Sequence, residues 1–124
     1  HGTNCWTRIP HSAGMMREGL RGFLRVLRTG HPQTPILVAG PVVRPDAESV
    51  PNKLGATLAD LRRAMEYTCQ EMIAEGDGQL HYLDALPLVT PDMLPDGIHP
   101  GDRGHQALAQ ALGATLARLV RRDH

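Results

Sequence analysis

Serine is nearly missing from this 124-residue chain: Ser12 and Ser49 are the only two, and neither lies in a Gly-x-Ser-x-Gly or Gly-Asp-Ser context. Both read as ordinary loop or helix-start residues, so no serine nucleophile is evident among these residues. Aromatics are as scarce, with one Trp, two Tyr and one Phe, which leaves Leu, Val, Ala and Met to build the core. Neither sign of charge is in excess, since 13 Lys and Arg balance 13 Asp and Glu. Nucleic acid needs a basic face and an anionic membrane surface attracts one, so the balance argues against both as partners. A small, roughly neutral substrate suits the balance. No apolar run reaches the roughly 20 residues that span a bilayer. The two cysteines, Cys5 and Cys69, are far apart and lack metal-ligand spacing. They could pair, but two buried thiols is the preferred reading. The opening His-Gly-Thr lacks the charged-then-apolar pattern of a leader, and the compartment is left unassigned.

What is present alternates. Residues 1–4 read as the end of a strand. Over 13–29, Met16, Leu20, Phe23, Leu24 and Leu27 recur at three- and four-residue intervals, the stripe of a helix. Ile36-Leu37-Val38-Ala39 is wholly apolar between Pro35 and Gly40, as in a strand covered on both faces. A Pro-rich loop over 41–51 follows, long enough to be a wall of a binding site. Leu54, Leu58, Leu61, Met65, Cys69, Met72 and Ile73 mark a second helix, with Asp60, Arg62, Arg63, Glu66 and Glu71 mostly on its wet side. A strand is expected over 80–84, an irregular stretch over 85–101, and a last helix over 102–121 with Asp102 as N-cap. The order predicts one α/β domain over 1–124 with a parallel sheet and right-handed crossovers.

In such sheets, sites form outside the carboxyl ends of the strands. Asn4, the 41–51 loop and the 85–101 stretch would therefore meet on one edge. The last of these contains Asp96-Gly97-Ile98-His99-Pro100. An acid three residues before a His on a Pro/Gly-rich loop can set a carboxylate beside an imidazole. The carboxylate then fixes the tautomer, and the imidazole takes a proton from a nucleophile.

Together, Gly2-Thr3-Asn4-Cys5-Trp6, the Pro-rich loop after Ile36 to Gly40, and Asp96-Gly97-Ile98-His99-Pro100 resemble the SGNH (GDSL-type) esterase and lipase family. The resemblance runs over nearly the whole chain but corresponds to the C-terminal half of a family domain. It implies a three-layer α/β/α sandwich of flavodoxin-like topology with its N-terminal part missing. It also implies His99 as general base, Asp96 as its orienting partner and Asn4 as oxyanion donor. Gly2 and Trp6 would be supporting substrate-binding residues, although Trp6 could equally cap the core. The implied activity is carboxylic ester hydrolysis through an acyl-serine intermediate, on a carbohydrate acetyl group or a short acyl chain, with the Gly-Asp-Ser nucleophile segment lying before His1. No metal and no cofactor is implied. Most members read Gly-x-Asn-Asp where this chain has Gly-Thr-Asn-Cys, so Cys5 departs from the pattern.

Rivals come from other classes. Cys5 beside Asn4 is a weak alternative nucleophile, and Asp96/His99 with His81/Asp84 offer the only close metal-ligand spacings. A non-catalytic α/β fragment or assembly module is the main alternative. Two whole strands and a stub would leave apolar edges open, so such a chain is expected to need a missing front half, another chain or self-association.

Overall fold

The computed structural model describes residues 2–122. Its elements are a single helical turn α1 (Thr3–Trp6), helix α2 (Ala13–Gly30), strand β1 (Ile36–Ala39), helix α3 (Leu58–Ala74), strand β2 (Leu80–Leu83) and helix α4 (Asp102–Arg122), with two 3-10 turns at Leu86–Leu88 and Pro91–Met93. The two strands run parallel, with Ile36 opposite Leu80 and Ala39 opposite Leu83.

Side chains alternate across a strand, and this sorts the helices into layers. Ile36, Val38, Leu80 and Tyr82 face the core built with α2 and α3, where Met16, Leu24, Leu61, Met65, Cys69 and Met72 are buried. Ala39 and Leu83 share a cavity wall with Leu108 and Leu112 of α4. Helices α2 and α3 thus pack on one face of a small parallel sheet and α4 lies toward the other at the carboxyl ends of the strands, the expected α/β arrangement, with β1 left half-buried. Each fully buried Leu or Met contributes about 1.5–3 kcal/mol, and Leu61, Met65 and Cys69 of α3 are all at most 1% exposed.

Local chemistry sets the helix starts. Ser12 caps α2 by accepting from the Met15 amide at 3.1 Å. Thr57 and Asp60 form a reciprocal capping box on α3. That cap puts the start of α3 at Leu58, not near Leu54. The Asn52 side chain takes the amides of Leu54 and Ala56, and Gly55 turns at φ 84, so the four residues before the cap are held as a loop. Asp102 is the first residue of α4, so it adds acid to the first turn and is not the N-cap expected.

Two further expectations are corrected. Residues 2–4 are not a strand end: Gly2 adopts φ 120, and the Cys5 amide returns to its carbonyl at 3.0 Å, which winds Thr3–Trp6 into a helical turn. His1 lies outside the described residues. Phe23, on the apolar stripe of α2, is 60% exposed because no described residue covers the side where α2 overhangs β1. That side is an open apolar cavity of about 620 Å³ walled by α2, all of β1 and Met65.

Candidate active site

The turn carrying Asp96 and His99 is held from within. One carboxylate oxygen of Asp96 accepts the amides of Ile98 at 2.8 Å and His99 at 2.7 Å. The other meets Nδ1 of His99 at 2.6 Å. Gly97 supplies the left-handed residue of the turn, at φ 80. The hydrogen bonds from the His99 amide and ring and from the Ile98 amide hold the Asp96 carboxyl far below the usual carboxylate range. Asp96 is therefore ionised at any working pH and fixes His99 with Nδ1 as donor. The His99 side chain is 78% exposed, and among the described residues nothing bonds its Nε2.

Close packing against α4 anchors this turn. The Gly101 amide donates to the Met93 carbonyl at 3.0 Å and the His105 amide to the Gly101 carbonyl at 2.9 Å. A side chain at Gly104 would collide with Pro100, its Cβ standing 2.7 Å from the proline Cβ. Glycine there lets the His99 segment lie directly on the helix start.

Beside it, at the carboxyl ends of both strands, lies a second cavity of about 210 Å³, lined by Thr3, Ala39, Gly40, Pro41, Leu83 and Pro100 among others. Thr3 precedes Asn4 and Pro100 follows His99, so the structure brings the two predicted segments to one edge. Asn4 is exposed, and its side-chain amide bonds no described residue. Gly2 is buried: a Cβ there would stand 3.1 Å from Pro41, and its positive φ suits glycine. Its evident task is to let the Asn4 turn fold under Pro41. Trp6 is half-buried against the core and donates from Nε1 to the Val50 carbonyl at 2.8 Å. The Arg44 guanidinium lies 5.0 Å from its ring centre.

Cys5 and Cys69 are buried thiols, and burial pushes both upward, Cys69 to about 11. Such thiols are poor nucleophiles. Among the described residues no three His, Cys, Asp or Glu side chains converge as metal ligands do, and no helix is long and apolar enough to cross a membrane. Three contributors escape a reading of the sequence. Arg62, expected on the wet side of α3, is 6% exposed. Gly104 carries no motif. Tyr82 ends with its hydroxyl buried, pressed against Gly40 and without a hydrogen-bond partner among the described residues.

Comparison with family models finds the description "GDSL-like Lipase/Acylhydrolase family" matching residues 5–117. The chain belongs to the GDSL-like lipase/acylhydrolase family. Its match begins one residue after Asn4 and includes Asp96 and His99. No curated protein matches. Among solved structures, the salicylyl-acyltransferase SsfX3 from a tetracycline biosynthetic pathway is similar at 27% identity and TM-score 0.76, covering 95% of this chain and 36% of that one. A putative GDSL-like lipase from Bacteroides ovatus shares the fold at 19% identity and TM-score 0.72, covering 89% of this chain and 33% of that one. The chain thus spans about a third of the length of each of these two proteins.

Proposed function

We propose that this chain carries the acid–base and oxyanion parts of a serine-type carboxylic ester hydrolase, with the nucleophilic serine supplied from outside these residues. The observation that carries the reading is the 2.6 Å contact of Asp96 with Nδ1 of His99, on an exposed side chain whose Nε2 bonds nothing among the described residues. In the proposed reaction, Nε2 takes the proton of a serine hydroxyl as its oxygen attacks the ester carbonyl. The Asn4 amide donates to the oxyanion of the tetrahedral intermediate. Collapse expels the alcohol with the proton from His99, and water then cleaves the acyl-serine by the same route. Neither serine of the chain competes for the role: Ser12 is engaged as the α2 cap, and Ser49 lies on an exposed bend of the loop beside Trp6. Of the two substrate-binding candidates, Trp6 keeps surface for a substrate, whereas Gly2 acts by shaping the turn.

The similarity to an acyltransferase supports a second reading, in which an alcohol replaces water as acyl acceptor. Product analysis with and without added alcohol separates the two. The open apolar side of α2 and β1 supports the assembly-module alternative, in which a preceding segment of the same domain, another chain or a second copy covers it. Light scattering on the pure chain checks this, and a well-folded monomer counts against it. The deciding experiment is p-nitrophenyl acetate turnover with intact-mass detection of a fluorophosphonate adduct, on this chain and on a longer form carrying a Gly-Asp-Ser segment. Turnover and adduct only in the longer form, both abolished by His99→Ala, are expected. A stoichiometric adduct on these 124 residues alone would overturn the outside nucleophile.

A further inference from the structure

Arg62 is the most heavily engaged buried charge among the described residues. Its Nε donates to the Pro41 carbonyl at 3.2 Å and its Nη2 to the Val42 carbonyl at 3.2 Å. Both terminal nitrogens grip Glu48, at 2.5 and 2.9 Å. Glu48 also accepts the Arg44 amide at 3.0 Å, and Arg44 is held by Asp46 at 3.0 and 3.3 Å. Burial alone would raise the Glu48 carboxyl, but the hydrogen bonds from Arg62 and the Arg44 amide outweigh it and leave it below its ordinary value.

Two lines run from this guanidinium to the two sides of Asn4. Through Pro41 it reaches Gly2, whose missing side chain lets the proline ring sit 3.1 Å from the Cβ position. Through Glu48 and Arg44 it reaches Trp6, with the cation 5.0 Å from the ring centre. Asn4 lies between Gly2 and Trp6 on a helical turn only four residues long. A turn that short has no stability of its own, so its orientation comes from what holds its ends.

We infer that Arg62 is a positioning residue that sets the Asn4 amide by fixing Pro41 on one side of the turn and the Glu48, Arg44 and Trp6 chain on the other. The inference rests on the oxyanion role proposed for Asn4. Arginine suits the place because its planar fork serves a carboxylate and two carbonyls at once, whereas an ammonium is a single point donor on a flexible stem.

The test uses the longer, active form. Arg62→Lys is expected to lower kcat about 10- to 100-fold while KM and the pH profile of kcat/KM hold, since His99 is untouched. Asn4→Ala alone should cost about 10²- to 10³-fold. In the Arg62→Lys background its added cost should fall below about tenfold, because the donor is already misplaced. If Arg62→Lys does not fold, the pair Arg62→Met with Glu48→Gln removes both charges together and takes its place. Nitrogen-15 spectra supply a readout independent of turnover: the Trp6 indole and the Asn4 side-chain amide should shift in either variant. Unmoved signals from both groups, or an undiminished Asn4→Ala loss, overturn the inference alone. A wild type indifferent to His99→Ala overturns the hydrolase reading and with it the oxyanion role.

Discussion

Replacing Gly104 by alanine should invert the usual sign of that substitution. Inside a helix, Gly→Ala stabilises by about 1 kcal/mol. At Gly104 the new Cβ would stand 2.7 Å from Cβ of Pro100 and 3.6 Å from both Cβ and the carbonyl oxygen of Met93. Carbon pairs settle at about 3.5–4.0 Å, so the helix start and the Pro100 segment must part by roughly 1 Å. The opposing atom belongs to a proline ring and has no rotamer to escape into. Overpacking of this kind costs about 1–3 kcal/mol, which leaves a net loss of up to about 2 kcal/mol after the helical gain. Pro100 is bonded to His99, so the displacement passes to the imidazole. A misplacement of about 1 Å at a reacting group costs on the order of 10²-fold in rate. Gly113 on the same helix has nothing within 4 Å of its Cβ position, so Gly113→Ala should gain about 1 kcal/mol and leave turnover unchanged. Denaturant titrations on the two variants, and ester turnover with each substitution carried in the longer form, decide the matter. A Gly104→Ala protein as stable and as active as the parent would refute the reasoning.

In the longer form, Asp96→Asn should cost on the order of 10⁴-fold in turnover, because an amide no longer fixes the donor tautomer at Nδ1 of His99; a loss below tenfold would remove Asp96 from the proposed dyad. Tyr82→Phe should raise the denaturation midpoint by the equivalent of about 1 kcal/mol, since it removes a buried hydroxyl that has no partner among the described residues. Burial raises the Tyr82 hydroxyl from 10 to about 12. The stability linked to that shift is fully present below pH 10 and lost as pH rises through about 12, so the phenylalanine variant should resist alkali better than its parent. Glu48 works in the opposite direction: its folded carboxyl lies below the ordinary 4.5, so its contribution is present above that pH and lost as pH falls through the folded value. The gap in melting temperature between the parent and Glu48→Gln should be widest above pH 4.5 and close on acidification below it.

What is legible in the sequence is what is local. Asp96 and His99 meet within one turn, so their spacing alone predicts the contact. The apolar run Ile36 to Ala39 and the stripes of α2 and α3 identify elements because periodicity reports burial directly. The Asn4 turn is not legible as a helix, since four residues carry no period and the positive φ of Gly2 answers to Pro41 some 40 residues on. Arg62 lies on a helix face that spacing assigns to water, but the Pro-rich loop folds over it, and an irregular loop leaves no periodic trace of its path. Phe23 errs the other way. Its stripe is correctly apolar, yet that part of it meets open space in these residues.

The proposed catalytic parts also differ in how far apart along the chain their supports lie. Asp96 and His99 close over three residues, whereas Trp6 reaches Val50 across 44 and Arg62 reaches Pro41 across 21. Closure entropy grows as the logarithm of the loop, so the longest of these contacts costs about 2 kcal/mol more to form than the dyad. On this count the dyad is the cheaper contact to close, and the Asn4 turn leans more on the rest of the fold. A change that loosens the Pro-rich loop should therefore weaken the oxyanion donor while the imidazole keeps its carboxylate, separating the base from the group that steadies the charge it creates.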